Sequence, residues 1–291
     1  MLQLDTPRSR RIGIGLVTLA TVCFATLDAC AKWLVQSLPV FEVVWLRFLT
    51  HSLLMSVLLA PVYGRELVRV HNPQLQLLRA LMLGAMTALN FWALQYLQLA
   101  ETGAIQFSVP LLIAVISAGW LRERLDAHRW CAIVVGFAGV LLVIRPGSHA
   151  FHPAILLSVL NAVLYALFNL LTRRMASTES PASMQLMSAI GATIVIAPFA
   201  LLHWQPPADL TTWLLIAACG LCGGLGHYCV AKAHRYASAA MLGPFLYQQI
   251  IYMALWGWLV FAQVPDAFVV AGSLVVVSSG LYLLWLEMRR H

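Results

Sequence analysis

Charge is scarce in this 291-residue sequence: 10% of its residues are Asp, Glu, Lys or Arg, against 61% hydrophobic. Soluble domains carry roughly 25% charged residues, and a fold with so few could not solvate its own surface. The chemistry that is missing narrows the function. No G-x-x-x-x-G-K-[ST] loop is present to cradle nucleotide phosphates, which argues against ATP-driven work by this chain alone. No Asp-x-x-Asp occurs, and Asp28, Glu42, Glu101, Glu123, Asp126 and Asp266 are scattered over different loops and depths. That scatter speaks against a membrane-embedded enzyme acting on lipid-linked substrates, which needs clustered acids or histidines near one membrane face. Six cysteines are present, Cys219-x-x-Cys222 with His227 and Cys229 nearby, but no second pair stands at zinc-ligand spacing. They are read as small, soft residues suited to helix contacts. No catalytic, cofactor-binding or metal-ligating residue is assigned.

Long apolar runs take the place of charge. They predict an all-α integral membrane protein with helices at roughly 12–34, 40–60, 76–97, 102–121, 129–145, 152–172, 182–203, 210–231, 239–262 and 267–286. About 20 apolar residues cross the roughly 30 Å of hydrocarbon in a bilayer. The first run follows Arg8, Arg10 and Arg11 as a signal peptide would. It is too long for one, lacks a small-residue cleavage site and contains Asp28 and Lys32, so it is read as a retained helix. Of the 18 Lys and Arg, all but Lys32, Arg47 and Arg145 then fall on one side, in groups such as Arg65, Arg69 and Arg79 or Lys232 and Arg235. By the positive-inside rule both termini are cytoplasmic in a bacterial-type inner membrane. The net charge of +7 is therefore a topology signal and implies no nucleic-acid partner.

The chain repeats itself. Ala93-Leu-Gln-Tyr96 aligns with Ala233-His-Arg-Tyr236 at an offset of 140, which also pairs Ala100 with Ala240 and Asp126 with Asp266. Near the start of each half the offset is 141, pairing Phe24 with Tyr165, Asp28 with Asn169 and Lys32 with Arg173. The halves, 1–148 and 149–291, hold five helices each. Because five is odd, the second half enters the bilayer from the opposite face. Inverted repeats place a substrate site near the midplane and permit alternating access around it.

Ala93–Pro110, Leu121–Leu125 and Gly136–Gly147 resemble the first repeat of the EamA branch of the drug/metabolite transporter superfamily, and Ala233–Tyr247, Gly257–Asp266 and Gly272–Leu281 resemble its second. The resemblance spans nearly the whole chain. It implies ten helices in two inverted repeats and carriage of amino acids, nucleosides, vitamins or related metabolites, without naming one substrate. Gln263 stands where the family's second repeat often has an acid, so nothing resting on that acid carries over.

Ionisable groups inside a bilayer are costly and each needs a reason. Asp28 and Lys32 share a helix face, and Arg47 lies at similar depth on the next helix, which predicts an Asp28–Arg47 pair near Lys32. Such a cluster is either a gate or anchor for a charged substrate group, or a lock between helices 1 and 2. Helices 4 and 9 carry interior prolines, Pro110 and Pro244, which free carbonyls that lipid cannot satisfy. Gln106, Ser108, Tyr247, Gln248, Gln249 and Tyr252 cluster around them. Asn90 and Trp92 in helix 3, Asn161, Tyr165 and Asn169 in helix 6, and His227 in helix 8 offer partners at similar depth. Gly220, Gly223, Gly224 and His227 share one face, so His227 is either a packing residue or a ligand and proton carrier. Trp204, Trp213 and Trp285 are read as interfacial anchors. The candidate substrate site is Asn90, Trp92, Gln106, Tyr165, His227, Tyr247 and Gln248, with Asp28, Lys32 and Arg47 as gate or ion pair. The expected function is secondary transport of a small organic metabolite by alternating access, functional as a monomer, with a small-molecule substrate and the lipid bilayer as partners. A channel would need a continuous polar lining, which the sparse mid-helix polar groups do not supply.

Overall fold

The computed structural model describes residues 6–120, 126–148, 151–237 and 239–288, and these form a helical bundle. The helices are α1 (Pro7–Leu34), α2 (Val40–Tyr63), α3 (Pro73–Leu94), α4 (Leu99–Gln106), α5 (Val109–Trp120) and α6 (Ala127–Ile144). Then follow α7 (Ile155–Met175), α8 (Pro181–Leu202), α9 (Leu210–Ala233), α10 (Ala239–Leu246), α11 (Gln249–Phe261) and α12 (Ala267–Met288). Nine stretches of the described residues are long and apolar enough to cross a membrane, with α4 and α5 forming one of them. The α10–α11 pair is the matching broken span of the second half. Leu121–Leu125, one of the stretches that carry the family resemblance, lies outside the described residues.

Cap chemistry starts several helices earlier than hydropathy alone predicts. Thr6, Asn72 and Ser180 each accept a hydrogen bond from the amide three residues on, and each is followed by a proline at the first helical position. A side-chain acceptor there satisfies an orphan amide, and proline has no amide to leave unsatisfied. Helix 3 therefore begins at Pro73 rather than 76, and Gln76 and Arg79 within its first turns are buried.

The two broken spans part near their prolines. Pro110 cannot donate to the turn before it, and the chain breaks over Phe107 and Ser108, where the Ser108 hydroxyl donates to the Ile105 carbonyl at 2.7 Å. In the second half the break falls at Tyr247 and Gln248, three residues after Pro244.

Packing follows the repeat. Helix α1 packs on α9, and its counterpart α7 packs on α3; α2 packs on α9 as α8 packs on α3. The pairs α2–α8 and α6–α12 are each formed between a helix and its own counterpart. The inverted relation even brings equivalent residues together: Ser52 and Thr193, 141 positions apart, have hydroxyls 3.5 Å from each other. At the α6–α12 contact main chain meets main chain, since a Cβ on Gly139 would lie 2.9 Å from the Gly272 carbonyl oxygen. Large apolar side chains such as Val57, Val62, Ile194, Leu202 and Leu259 face outward, as lipid contact requires.

Candidate functional site

One end of the bundle holds Arg65, Arg69, Arg173, Arg174, Lys232 and Arg235 and is called the basic end here; the loops at 35–39, 95–98 and 203–209 lie at the other. The halves treat these two ends differently.

Away from the basic end, α1 and α3 are stitched together. Lys32, 4% exposed, donates from Nζ to the Leu94 carbonyl at 2.9 Å and the Leu97 carbonyl at 2.7 Å. The Leu94 carbonyl ends α3 and the Leu97 carbonyl lies in the loop after it, and a cation is well placed at a helix C-terminus. Gln95 donates to the Val35 carbonyl at 2.8 Å, and the Asn90 amide donates to the Asp28 carboxylate at 2.9 Å.

Toward the basic end, the equivalent helices α7 and α9 are parted by a cavity of about 540 Å³. It runs from Tyr63, Lys232 and Arg235 down to Leu83, Tyr165 and His227. Arg173, counterpart of Lys32, is exposed, and among the described residues no hydrogen bond or ion pair engages its side chain. The His234 ring, where Leu94 stands in the first half, lies 2.8 Å from the Val230 carbonyl of its own helix.

Of the candidate substrate residues, Tyr165 and His227 line this cavity. His227 is edge-on to Phe24 with ring centroids 4.9 Å apart and stacks on His51 at 6.1 Å. The structure does not bring the others there. Asn90 is engaged with Asp28. Gln106 accepts from Asn161 at 3.2 Å, tying the α4–α5 break to α7, and Gln248 donates to Thr18 at 2.9 Å, tying the α10–α11 break to α1. Tyr247 is buried against Phe107. Trp92, 44% exposed, sits on the outer surface of α3 beside Phe41, so it is no cavity wall.

The direct Asp28–Arg47 pair is also absent: among the described residues the ion pairs are His71–Glu179 and Arg145–Asp266. Equal depth on neighbouring helices does not fix the direction a side chain takes. The Arg47 guanidinium turns to Thr87 at 3.5 Å and to the face of Phe48 at 4.3 Å, in a slot left by Gly223. The glycine face of α9 serves that packing, for a Cβ on Gly220 would fall 2.5 Å from Thr50.

Sequence reading missed Arg79 and His51. Both are buried, and the His51 ring nitrogens have no partner among the described residues. Arg79 borders the cavity. Its Nε donates to Thr172 at 3.1 Å, its Nη1 to the Met184 carbonyl at 2.8 Å and to Ser188, and its guanidinium lies 4.4 Å over the Phe168 ring. The available signal was Gln76 and Arg79 three residues apart on one helix face.

Seven of the described carboxylates are committed to structure. Glu42, Glu101, Asp126, Glu179, Asp209 and Asp266 each accept from a backbone amide, and Asp28 accepts from Asn90. The described residues lining the cavity include no Asp or Glu.

Comparison with known proteins agrees with this architecture. The pattern of the EamA-like transporter family matches residues 11–145 and again 152–286. The chain is 27% identical over 286 residues to the S-adenosylmethionine uptake transporter of Rickettsia bellii, covering 98% of this chain and 97% of that one. It is 28% identical over 278 residues to the riboflavin transporter of Vibrio cholerae, covering 93% and 92%. A solved crystal structure superposes with a TM-score of 0.65 at 19% identity over 98% of this chain, a likeness of fold.

Proposed function

The chain belongs to the EamA-like transporter family, and we propose that it carries a small organic metabolite across the bacterial inner membrane by alternating access. The observation that carries this reading is the contrast between its two halves. The same helix pair is bridged in one half and parted around a cavity in the other, which is what an inverted repeat does when it is open to one side. The basic end is the cytoplasmic one in this reading, with both termini there, because Lys and Arg accumulate on that face. The halves divide at residues 148 and 149, and one chain supplies both, so a monomer suffices. Nothing in the arrangement addresses nucleic acid. An enzyme reading has no support from the described carboxylates that have partners, since these accept from amide groups and are not gathered at a reacting centre.

Exchange to the other state would part α1 from α3 and bring α7 to α9. Arg173 then does what Lys32 does now, donating to the carbonyls of His234 and Ala237, the counterparts of Leu94 and Leu97. The names of the relatives support organic solutes with heterocyclic rings as the substrate class.

Purified protein in liposomes tests the reading. Flux of a metabolite panel should saturate with concentration, and a disulfide between cysteines placed at Asn169 and Val230 should stop it reversibly. Linear, non-saturating flux would mean a channel instead.

A further inference from the structure

Resting on that transporter reading, we infer that the cavity takes an organic anion, a carboxylate on an apolar body, and that Arg79 holds its charge. Arg79 is 5% exposed, yet all its hydrogen-bond partners among the described residues are neutral: one hydroxyl on α7, and a carbonyl and a hydroxyl on α8. No carboxylate pairs with it among the described residues, and none lines the cavity it borders. A guanidinium taken out of water without a counter-charge is destabilising, so buried charges are normally paired. Here the counter-charge is left for a ligand to bring.

The geometry suits that task. Nε and Nη1 are fixed by Thr172, Met184 and Ser188, while Nη2 makes no hydrogen bond to the described residues. Stacking on Phe168 holds the plane of the group. An anion therefore meets a donor already oriented, and little ordering remains to oppose binding. Tyr165 and Tyr228 provide apolar wall for the body of the solute, and Asn169 and Gln185 provide neutral hydrogen-bonding groups. Lys232 and Arg235 line the cavity toward the basic end and give its approach the same sign.

Matched pairs of solutes decide the matter in liposomes holding the full-length protein. Nicotinate with nicotinamide and phenylalanine with phenylalaninamide are run beside riboflavin and neutral nucleosides. The acid of at least one pair should be carried about tenfold or more better than its amide, the fold-change of one charge-assisted hydrogen bond. Arg79→Gln should bring that ratio toward unity, and Arg79→Lys should keep part of it. Equal carriage of acid and amide, or movement of neutral solutes alone, overturns the inference and leaves the transporter reading standing. If no solute moves through protein that still unfolds cooperatively, the transporter reading fails and the inference with it. Should Arg79→Gln not fold, the acid-to-amide ratio of the unaltered protein is decisive by itself.

Discussion

Phe107 and Tyr247 face one another across the junction of the two halves, ring centroids 5.2 Å apart, each at the break of its own span. They are 140 positions apart, so a residue meets its own counterpart where both helices are interrupted. The Tyr247 hydroxyl is buried with no partner among the described residues. Tyr247→Phe should thus leave stability unchanged or raise it slightly, because no hydrogen bond is lost. Tyr247→Ala should cost about 3 kcal/mol or more through the cavity it opens. Thermal unfolding in detergent separates the two; a large loss for Tyr247→Phe would mean the hydroxyl is bonded after all.

Lys32 bridges α1 to α3 through two carbonyls, and each charged hydrogen bond contributes about 1.5–3 kcal/mol. Lys32→Met should loosen that end, raising amide exchange across residues 94–98 by about tenfold or more. Unchanged protection there would show that the bridge does not hold the closure.

Glu179 makes a prediction about pH. Burial opposes its charge, but the amides of Asn72 and His71 and the His71 ring donate to it, and together they hold the carboxyl below its usual value. Such a group stabilises the folded state above its unfolded value near 4.5, and the contribution disappears as pH falls through the lower folded value. Glu179→Gln should therefore unfold at lower temperature than the parent at pH 7, and the gap should shrink on acidification below about pH 4.5. A gap that stays constant with pH would count against the carboxylate as its cause.

Glycine substitutions separate contact from propensity. A Cβ on Gly272 would lie 2.6 Å from the Gly139 carbonyl oxygen, whereas one on Gly15 meets nothing within 4 Å. Gly272→Ala should destabilise by about 1–3 kcal/mol as the backbones are forced apart, and Gly15→Ala should stabilise α1 by up to about 1 kcal/mol. A Gly272→Ala protein as stable as the parent or more so would show that the α6–α12 backbones do not meet this closely.

Much of the architecture was legible because it is written in one-dimensional signals. Apolar length gave the spans, Pro110 and Pro244 gave the breaks, and the offsets of 140 and 141 gave the inverted repeat. The site was less so. Tyr165 and His227, which line the cavity, could be picked out because they sit near mid-span among polar neighbours. Trp92 was expected beside them yet faces outward, because depth along a helix says nothing about which side of it a residue occupies. Arg79 was counted with the loops because charge counting treats an arginine near a helix start as topological. The partners of Lys32 are carbonyls, which leave no mark in a sequence.

In the proposed exchange the two ends would close by unlike chemistry, and this has a consequence for timing. Where Asp28 accepts from Asn90, the second half offers Asn169 and Val230, and valine cannot donate. Closing the basic end would thus lack the counterpart of the Asn90–Asp28 hydrogen bond. An idle protein should therefore wait with the basic end open, and its slow step should be the return of the empty carrier through the less stable state. Each 1.4 kcal/mol of that imbalance lengthens the wait about tenfold, so solute present on both sides should speed exchange beyond what net flux attains.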